Sequence, residues 1–122
     1  MGALVVFFGG GFGALVRYLL YVILPKNSHL PYSTLFANFF GCFIAAAVFT
    51  YFVVKSDTNS IYKTLLITGF CGGLSTLSAL SLEVMEFVQS GDYVKATSYI
   101  LLSLLICTIS VILGVALVKK YV

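Results

Sequence analysis

Four long apolar blocks fill almost the whole chain and constrain its fold more than any other feature. They cover residues 2–24, 35–54, 63–88 and 95–118. Each block reaches or approaches the roughly 20 residues that an α-helix needs to cross a bilayer. Hydrophobic residues make up 61% of the 122 residues and charged residues only 9%, too little polarity to cover a soluble core. The sequence therefore predicts one all-α membrane domain, residues 1–122, with four transmembrane helices.

The first block differs from a secretory signal peptide. It lacks a basic n-region, its apolar run is longer than a usual h-region, and no A-x-A-like cleavage site follows it. We therefore expect this block to remain in the protein as a span.

The three cysteines are distributed over three different spans. Cys42, Cys71 and Cys107 form no C-x-x-C pair, and their number is odd. This arrangement disfavours a disulfide framework or a zinc site. We expect the thiols to act as small, polarisable packing groups.

The positive charges assign only a weak orientation in the membrane. With four spans, both termini and the second loop lie on one side, which holds four lysines: Lys55, Lys63, Lys119 and Lys120. The other side holds Lys26 and Lys95, with Arg17 in the last turns of the first span. Under the positive-inside rule, an excess of four positive charges over three slightly favours an orientation with both termini in the cytoplasm. Insertion in both orientations is the alternative.

Small residues in the spans indicate close contacts between helices. Gly9 and Gly13 are four residues apart and form a G-x-x-x-G contact face in the first span. Four spans enclose little space for a polar pathway, so we expect a transporting chain of this size to form an oligomer.

Ionisable and amide side chains inside the spans are costly and predict functional positions. Arg17 either extends to the interface or attracts anions to a pore entrance. Asn38 either bonds across helices or directs its amide donors into a water-filled path. Glu83 lies deeper than Glu86, and we expect it to be a vestibule residue or an interhelical partner.

The stretch GFCGGLSTLSALSLE, residues 69–83, combines paired glycines, four hydroxyls and a carboxylate within an apolar block. Gly72 and Gly73 predict a break in the third helix, because glycine widens the choice of backbone conformation. Irregular backbone at membrane depth persists only when it is buried in protein or lines a wet cavity. Freed carbonyl groups can then coordinate a cation.

Three serines follow the glycine pair at intervals of three residues. Ser75, Ser78 and Ser81 either form a track of hydroxyls along which an anion can pass, or bond back to their own helix. A break followed directly by such a track is more specific than either feature alone.

These motifs resemble the Fluc (CrcB) family of fluoride channels over essentially the whole chain. The resemblance rests on GGGFGALVRYLL in the first span, TLFANFFG in the second and GFCGGLSTLSALSLE in the third. It implies an antiparallel, dual-topology dimer in the cell membrane, with two pores that export cytoplasmic fluoride passively. It also implies a structural sodium ion, Na+, at the dimer centre. The expected partners are fluoride, the lipid bilayer and a second subunit, identical or paralogous, and not nucleic acid.

The resemblance also implies roles for individual residues. The backbone carbonyls of Gly72 and Ser75 match the positions that hold sodium. Arg17 matches the vestibule arginine, and Glu83 matches the glutamate that follows the polar track. The positions matching the fluoride pathway are Asn38, Leu77, Ser78, Leu80, Ser81 and Tyr99.

The chain departs from the family at the filter. The family usually reads GGxTTFSTFS, and its two phenylalanines present electropositive ring edges to fluoride. Leu77 and Leu80 stand in those places, and polar family positions are occupied by Ala79, Cys107 and Val111. Either a different subunit supplies the missing rings, or a homodimer has an altered filter.

Two other functions remain to be weighed. One is a pore-deficient partner subunit of a heterodimeric fluoride channel. The other is a small four-helix proton-coupled drug exporter, but such exporters depend on a first-span glutamate where this chain has Arg17 and no acid. An enzyme is not expected, because the motifs assemble neither a nucleophile–base pair nor a metal-ligand cluster.

Overall fold

The computed structural model describes residues 1–24, 30–56 and 60–122. The connections between the first three apolar blocks lie partly outside these ranges. Lys26 and His29 lie wholly outside them, and the sequence indicates no role for His29, a lone histidine between two spans. Four helical segments in the described ranges are long and apolar enough to cross a membrane. They are Gly2–Ile23, Tyr32–Val54, Ile61–Gln89 and Tyr93–Tyr121.

The third of these spans is interrupted, whereas the other three are continuous helices. The continuous spans are α1 (Gly2–Ile23), α2 (Tyr32–Val54) and α6 (Tyr93–Tyr121). The third span contains α3 (Ile61–Lys63), a π-helix (Thr64–Cys71), α4 (Gly72–Leu74) and, beyond a break, α5 (Leu77–Gln89). The predicted architecture of four membrane-spanning helices with a broken third helix is confirmed.

A short turn joins the third and fourth spans. Gly91 has a φ of +79°, a left-handed conformation that favours glycine. Asp92 then caps α6, since its Oδ1 atom accepts a hydrogen bond from the Lys95 amide at 3.0 Å. This bond, with the Lys95 ammonium group 3.4 Å away, lowers the pKa of the Asp92 carboxyl below its ordinary value. The turn therefore fixes where the last span begins.

Glycines allow α1 to lie directly against the first half of the third span. A Cβ atom on Gly9 would lie 2.7 Å from the Leu65 carbonyl oxygen, and one on Gly13 would overlap the Phe70 carbonyl. The predicted G-x-x-x-G contact face is therefore confirmed, with the third span as its partner.

Helix α6 packs on α2 in a similar way. A Cβ atom on Gly114 would lie 2.6 Å from the Phe43 carbonyl oxygen. One turn earlier, the Ser110 hydroxyl donates to the Phe39 carbonyl and fastens the two helices together. These close contacts bring α1, α2, α6 and the third span into one bundle.

The outer faces of the bundle are apolar, and its interior combines apolar with polar side chains. Large apolar side chains such as Phe7, Phe12 and Leu101 lie exposed on the outer faces, where lipid would contact them. The buried polar side chains are Thr34, Asn38, Thr50, Thr76, Ser103 and Ser110. Every buried side-chain nitrogen or oxygen in the described ranges has a hydrogen-bond partner, and the three cysteines are free thiols.

Candidate functional site

The third span breaks at Ser75 and Thr76, directly after the glycine pair. Ser75 has φ −74° and ψ 151°, and Thr76 has φ −152° and ψ 120°, so both backbones are extended. Gly72 and Gly73 are helical, which differs from the expectation that they form the break themselves. A Cβ atom on Gly73 would overlap the Gly10 carbonyl oxygen, so this glycine serves close packing against α1.

Asn38 bridges the break with both ends of its amide group. Its Nδ2 atom donates to the Thr76 carbonyl at 3.2 Å, and its Oδ1 atom accepts from the Thr76 amide at 2.6 Å. Both residues are buried, at 9% and 7% exposure. Asn38 therefore bonds across helices, and the second N–H of Nδ2 takes no part in this pairing.

The break diverts two amides from their helical partners. In a continuous α-helix the Thr76 amide would donate to the Gly72 carbonyl, but here it donates to Asn38. The Ala79 amide would donate to the Ser75 carbonyl, but here it donates to Thr76 Oγ1 at 3.2 Å. Gly72 and Ser75 are thus two of the four residues before α5, 72–75, whose carbonyl oxygens lack a helical donor. Carbonyl oxygens are ligands for hard cations, so this pair fits a sodium ion.

The three serines differ in their hydrogen bonds. The hydroxyls of Ser75 and Ser81 donate to carbonyls one turn earlier in their own segments, at 2.8 and 2.9 Å. They follow the back-bonding alternative considered from the sequence. Ser78 instead pairs with Thr76 Oγ1 at 3.1 Å and lies exposed at the start of α5. Ser78 is therefore the serine of this set whose hydroxyl does not bond back to a carbonyl of its own segment.

Glu83 connects three helices through its carboxylate. Its Oε1 atom accepts from the Thr34 hydroxyl and its Oε2 atom from the Tyr99 hydroxyl, both at 2.6 Å. Tyr99 is fully buried, and its ring meets that of Phe87 edge to face at 5.8 Å between centroids. Glu83 is therefore an interhelical partner, one of the two roles predicted for it.

A cavity of about 280 Å³ lies among α1, α2 and α5. Arg17 and Glu83 both line it, together with Tyr18, Thr34 and Thr76. A guanidinium group, a carboxylate and several hydroxyls thus meet in one half-enclosed space within the bundle. The cavity brings the predicted vestibule residues together and reaches the break at Thr76.

The two leucines at the family's phenylalanine positions lie in the first turns of α5. Leu77 is 76% exposed, and Leu80 is half-buried. Leu77 therefore lies on the outer surface of the bundle rather than in its interior.

Two residues of the site, Thr34 and Thr76, were missed by the sequence reasoning. Thr34 lies four residues before Asn38 in α2, and this spacing places both on one face of the helix. Thr76 lies three residues before Ala79, the spacing of an N-cap hydroxyl and the amide it accepts. The four-residue spacing in α2 and the N-cap spacing at Thr76 are both visible in the sequence, but each is a weak signal.

Comparison with known proteins places the chain among relatives of similar length. A family model described as CrcB-like protein, Camphor Resistance (CrcB), matches residues 4–115, which include the break and parts of all four spans. A protein of Yersinia pestis named fluoride-specific ion channel FluC 1 is 41% identical over 101 residues, covering 82% of this chain and 80% of that protein.

Proteins of two other organisms match over still more of the chain. A fluoride-specific ion channel FluC of Nitratiruptor sp. is 38% identical over 114 residues, covering 92% of this chain and 88% of that protein. One of Pyrococcus abyssi is 34% identical over 117 residues, covering 96% of this chain and 95% of that protein. The similarity therefore extends along most of the length of both chains.

Proposed function

The chain belongs to the CrcB family, whose relatives are named fluoride-specific ion channels, and from this premise we propose that it is a fluoride-selective channel. It is a multi-pass membrane protein, and we place it in the plasma membrane, where it exports cytoplasmic fluoride passively. The observation that carries the proposal is the polar break of the third span beside the cavity that Arg17 lines. Such a polar site inside an apolar bundle suits the passage of an ion.

The first step is attraction of the anion. Arg17 lies at the wall of the cavity, and its charge raises the local concentration of anions there. Glu83 lines the same cavity, but the hydroxyls of Thr34 and Tyr99 donate to its two oxygens. These two hydrogen bonds stabilise the negative charge of the carboxylate and thereby reduce its repulsion of an entering anion.

The second step is replacement of water around the ion. Moving an ion of this kind into a low-dielectric medium costs on the order of 20 kcal/mol unless other donors replace its hydration shell. The exposed Ser78 hydroxyl and the second N–H of Asn38 provide donors next to the break. Several weak donors in sequence, rather than one tight site, allow the ion to leave again.

We further propose an antiparallel dimer with a sodium ion at its centre. The carbonyl oxygens of Gly72 and Ser75 from each of two subunits would supply four ligands. The loss of the helical donors to both carbonyls supports this assignment. The ion would supply positive charge that stabilises two facing breaks.

A second candidate is a pore-deficient subunit of a heterodimeric fluoride channel. Leu77 is 76% exposed on the half-helix after the break and lacks the electropositive ring edge found at this position in the family. A paralogous subunit could supply the missing rings across an interface. The drug-exporter alternative has no comparable support, since the ionisable side chain of α1 is Arg17.

The test is fluoride efflux from liposomes that contain the purified chain alone, then the chain with a paralogous subunit. Chloride efflux under the same conditions measures selectivity. Fluoride efflux by the chain alone supports a homodimeric channel, and efflux only with the paralogue supports the partner-subunit candidate. No fluoride efflux in either preparation contradicts the proposed function.

A further inference from the structure

We propose that Asn38 is a positioning residue for the cation site, because its amide keeps the third span broken and thereby frees the Gly72 and Ser75 carbonyls. This inference rests on the proposed sodium site and assigns its control to a side chain of α2. This positioning role of Asn38 is distinct from donating a hydrogen bond to fluoride.

The first part of the inference is a competition for one amide. The Thr76 N–H has two available acceptors, the Asn38 Oδ1 atom and the Gly72 carbonyl that would accept it in a continuous helix. An unpaired amide at membrane depth is costly, so loss of Asn38 favours closure of the helix onto Gly72. The 2.6 Å bond to Asn38 therefore keeps the Gly72 oxygen available to a cation.

The second part is the effect on Ser75. Thr76 caps α5 because its Oγ1 atom accepts from the Ala79 amide, the group that would otherwise pair with the Ser75 carbonyl. An N-cap residue needs a non-helical backbone, and the two bonds from Asn38 hold Thr76 in its extended conformation. Asn38 thus frees the Ser75 oxygen indirectly, through Thr76.

The third part is a matching feature one turn along α2. Gly41 lies three residues after Asn38, and a Cβ atom there would lie 2.9 Å from Ser75 Cβ and 3.3 Å from the Ser75 nitrogen. Glycine at this position lets the break lie against α2. The same face of α2 therefore supplies both the amide that holds the break and the space that accommodates it.

The proposed role predicts a dependence on sodium that a pure fluoride ligand would not show. A residue that only donates to fluoride changes flux and leaves cation affinity unchanged. A residue that positions cation ligands changes the affinity, and loss of such supporting contacts typically weakens metal binding about 10- to 100-fold.

The experiment measures thermal unfolding of the purified protein in detergent against sodium concentration, with N-methylglucamine balancing ionic strength. We expect Asn38→Ala to raise the sodium concentration for half-maximal stabilisation by at least about tenfold. Asn38→Asp should give a smaller increase, because it keeps an acceptor for the Thr76 amide. The matched control is Thr50→Val, which removes a buried hydroxyl of α2 that bonds to Ala46, away from the break. It should leave the sodium midpoint unchanged.

Some outcomes decide against the inference. An unchanged sodium midpoint in Asn38→Ala, with fluoride efflux lost, identifies Asn38 as a fluoride ligand and overturns it. If Asn38→Ala does not fold, Asn38→Asp and Gly41→Ala replace it, and unchanged midpoints in both overturn the inference.

Two further outcomes separate this inference from the proposed function. A protein that conducts fluoride but gains no stability from sodium overturns the inference and leaves the channel function intact. A protein without fluoride efflux whose sodium midpoint shifts in Asn38→Ala refutes the channel function and supports the inference.

Discussion

The Tyr99 hydroxyl donates to Glu83 Oε2 at 2.6 Å, and this bond connects α6 to α5 in the interior of the bundle. Tyr99 is fully buried, and the other carboxylate oxygen of Glu83 is occupied by Thr34. One carboxylate thus ties together the second, third and fourth spans. The bond has consequences for stability that can be measured directly.

Tyr99→Phe should destabilise the protein by about 1.5–3 kcal/mol, the usual range for a hydrogen bond to a charged group. The substitution keeps the buried ring and its contact with Phe87 but leaves one oxygen of Glu83 without its donor. Unfolding in detergent gives the measurement. Tyr93→Phe is the control, because Tyr93 is exposed at the start of the same helix and should unfold as the wild type does. Equal stability of the two variants would contradict the role given to this bond.

Gly73→Ala should destabilise the protein by about 1–3 kcal/mol or more, as expected for overpacking in a tight contact. The added methyl group would overlap the Gly10 carbonyl oxygen and lie 3.0 Å from the Ala14 nitrogen. Gly2→Ala is the control, since no atom lies within 4 Å of a Cβ at that position. The measurement is the midpoint temperature of thermal unfolding of each variant. If Gly73→Ala unfolds at the same temperature as the wild type, α1 and the third span are less tightly packed than described.

Arg17→Gln should lower fluoride efflux about tenfold at low salt, within the range that electrostatic focusing gives to rates of ion encounter. Added salt should reduce the difference from the wild type, because counter-ions screen the charge that the variant lacks. The measurement is efflux from liposomes at low and high ionic strength. Lys119→Gln, at the exposed end of α6, is the control and should leave efflux near the wild-type rate. A deficit that does not change with salt would assign Arg17 a role other than attraction of anions.

The spans were predictable from the sequence, because each apolar block is long enough to imply a helix regardless of its neighbours. Helix ends were less predictable. Helix α2 begins at Tyr32 and α6 runs to Tyr121, beyond the apolar blocks, since polar residues near an interface can continue a helix. The break itself was predictable from Gly72 and Gly73, but its extended residues are Ser75 and Thr76.

The contacts of the site were not predictable, because they join residues far apart in sequence. The Asn38 amide finds its partner 38 residues away, and Thr34 finds Glu83 49 residues away. A hydroxyl at membrane depth has an alternative within its own helix, and only packing decides between the two. Thus Ser81 bonds back to its own helix, whereas Ser110 donates to the Phe39 carbonyl, 71 residues away.

Leu77→Phe combined with Leu80→Phe should raise fluoride efflux by the chain alone several-fold, because ring edges carry the partial positive charge that leucine lacks. Leu77 is mostly exposed, so a larger ring can be placed there without displacing the core. Leu82→Phe, at another exposed position of α5, is the control and should not raise efflux. Unchanged efflux in the double variant would reject missing rings as the reason for any weak conduction by this chain.

Thr76→Ala should destabilise the protein by about 0.5–2 kcal/mol, the usual cost of removing an N-cap side chain. The variant keeps the backbone groups that pair with Asn38 but loses the Oγ1 atom that accepts from Ala79 and contacts Ser78. The freed Ala79 amide can then return to the Ser75 carbonyl, so sodium should stabilise this variant less than the wild type. Thr76→Ser is the matched control, because its hydroxyl can still cap α5. Thermal unfolding with and without sodium distinguishes the two substitutions. If Thr76→Ala and Thr76→Ser respond to sodium alike, the cap does not govern the Ser75 oxygen, and the break must be held open by the backbone bonds to Asn38 alone.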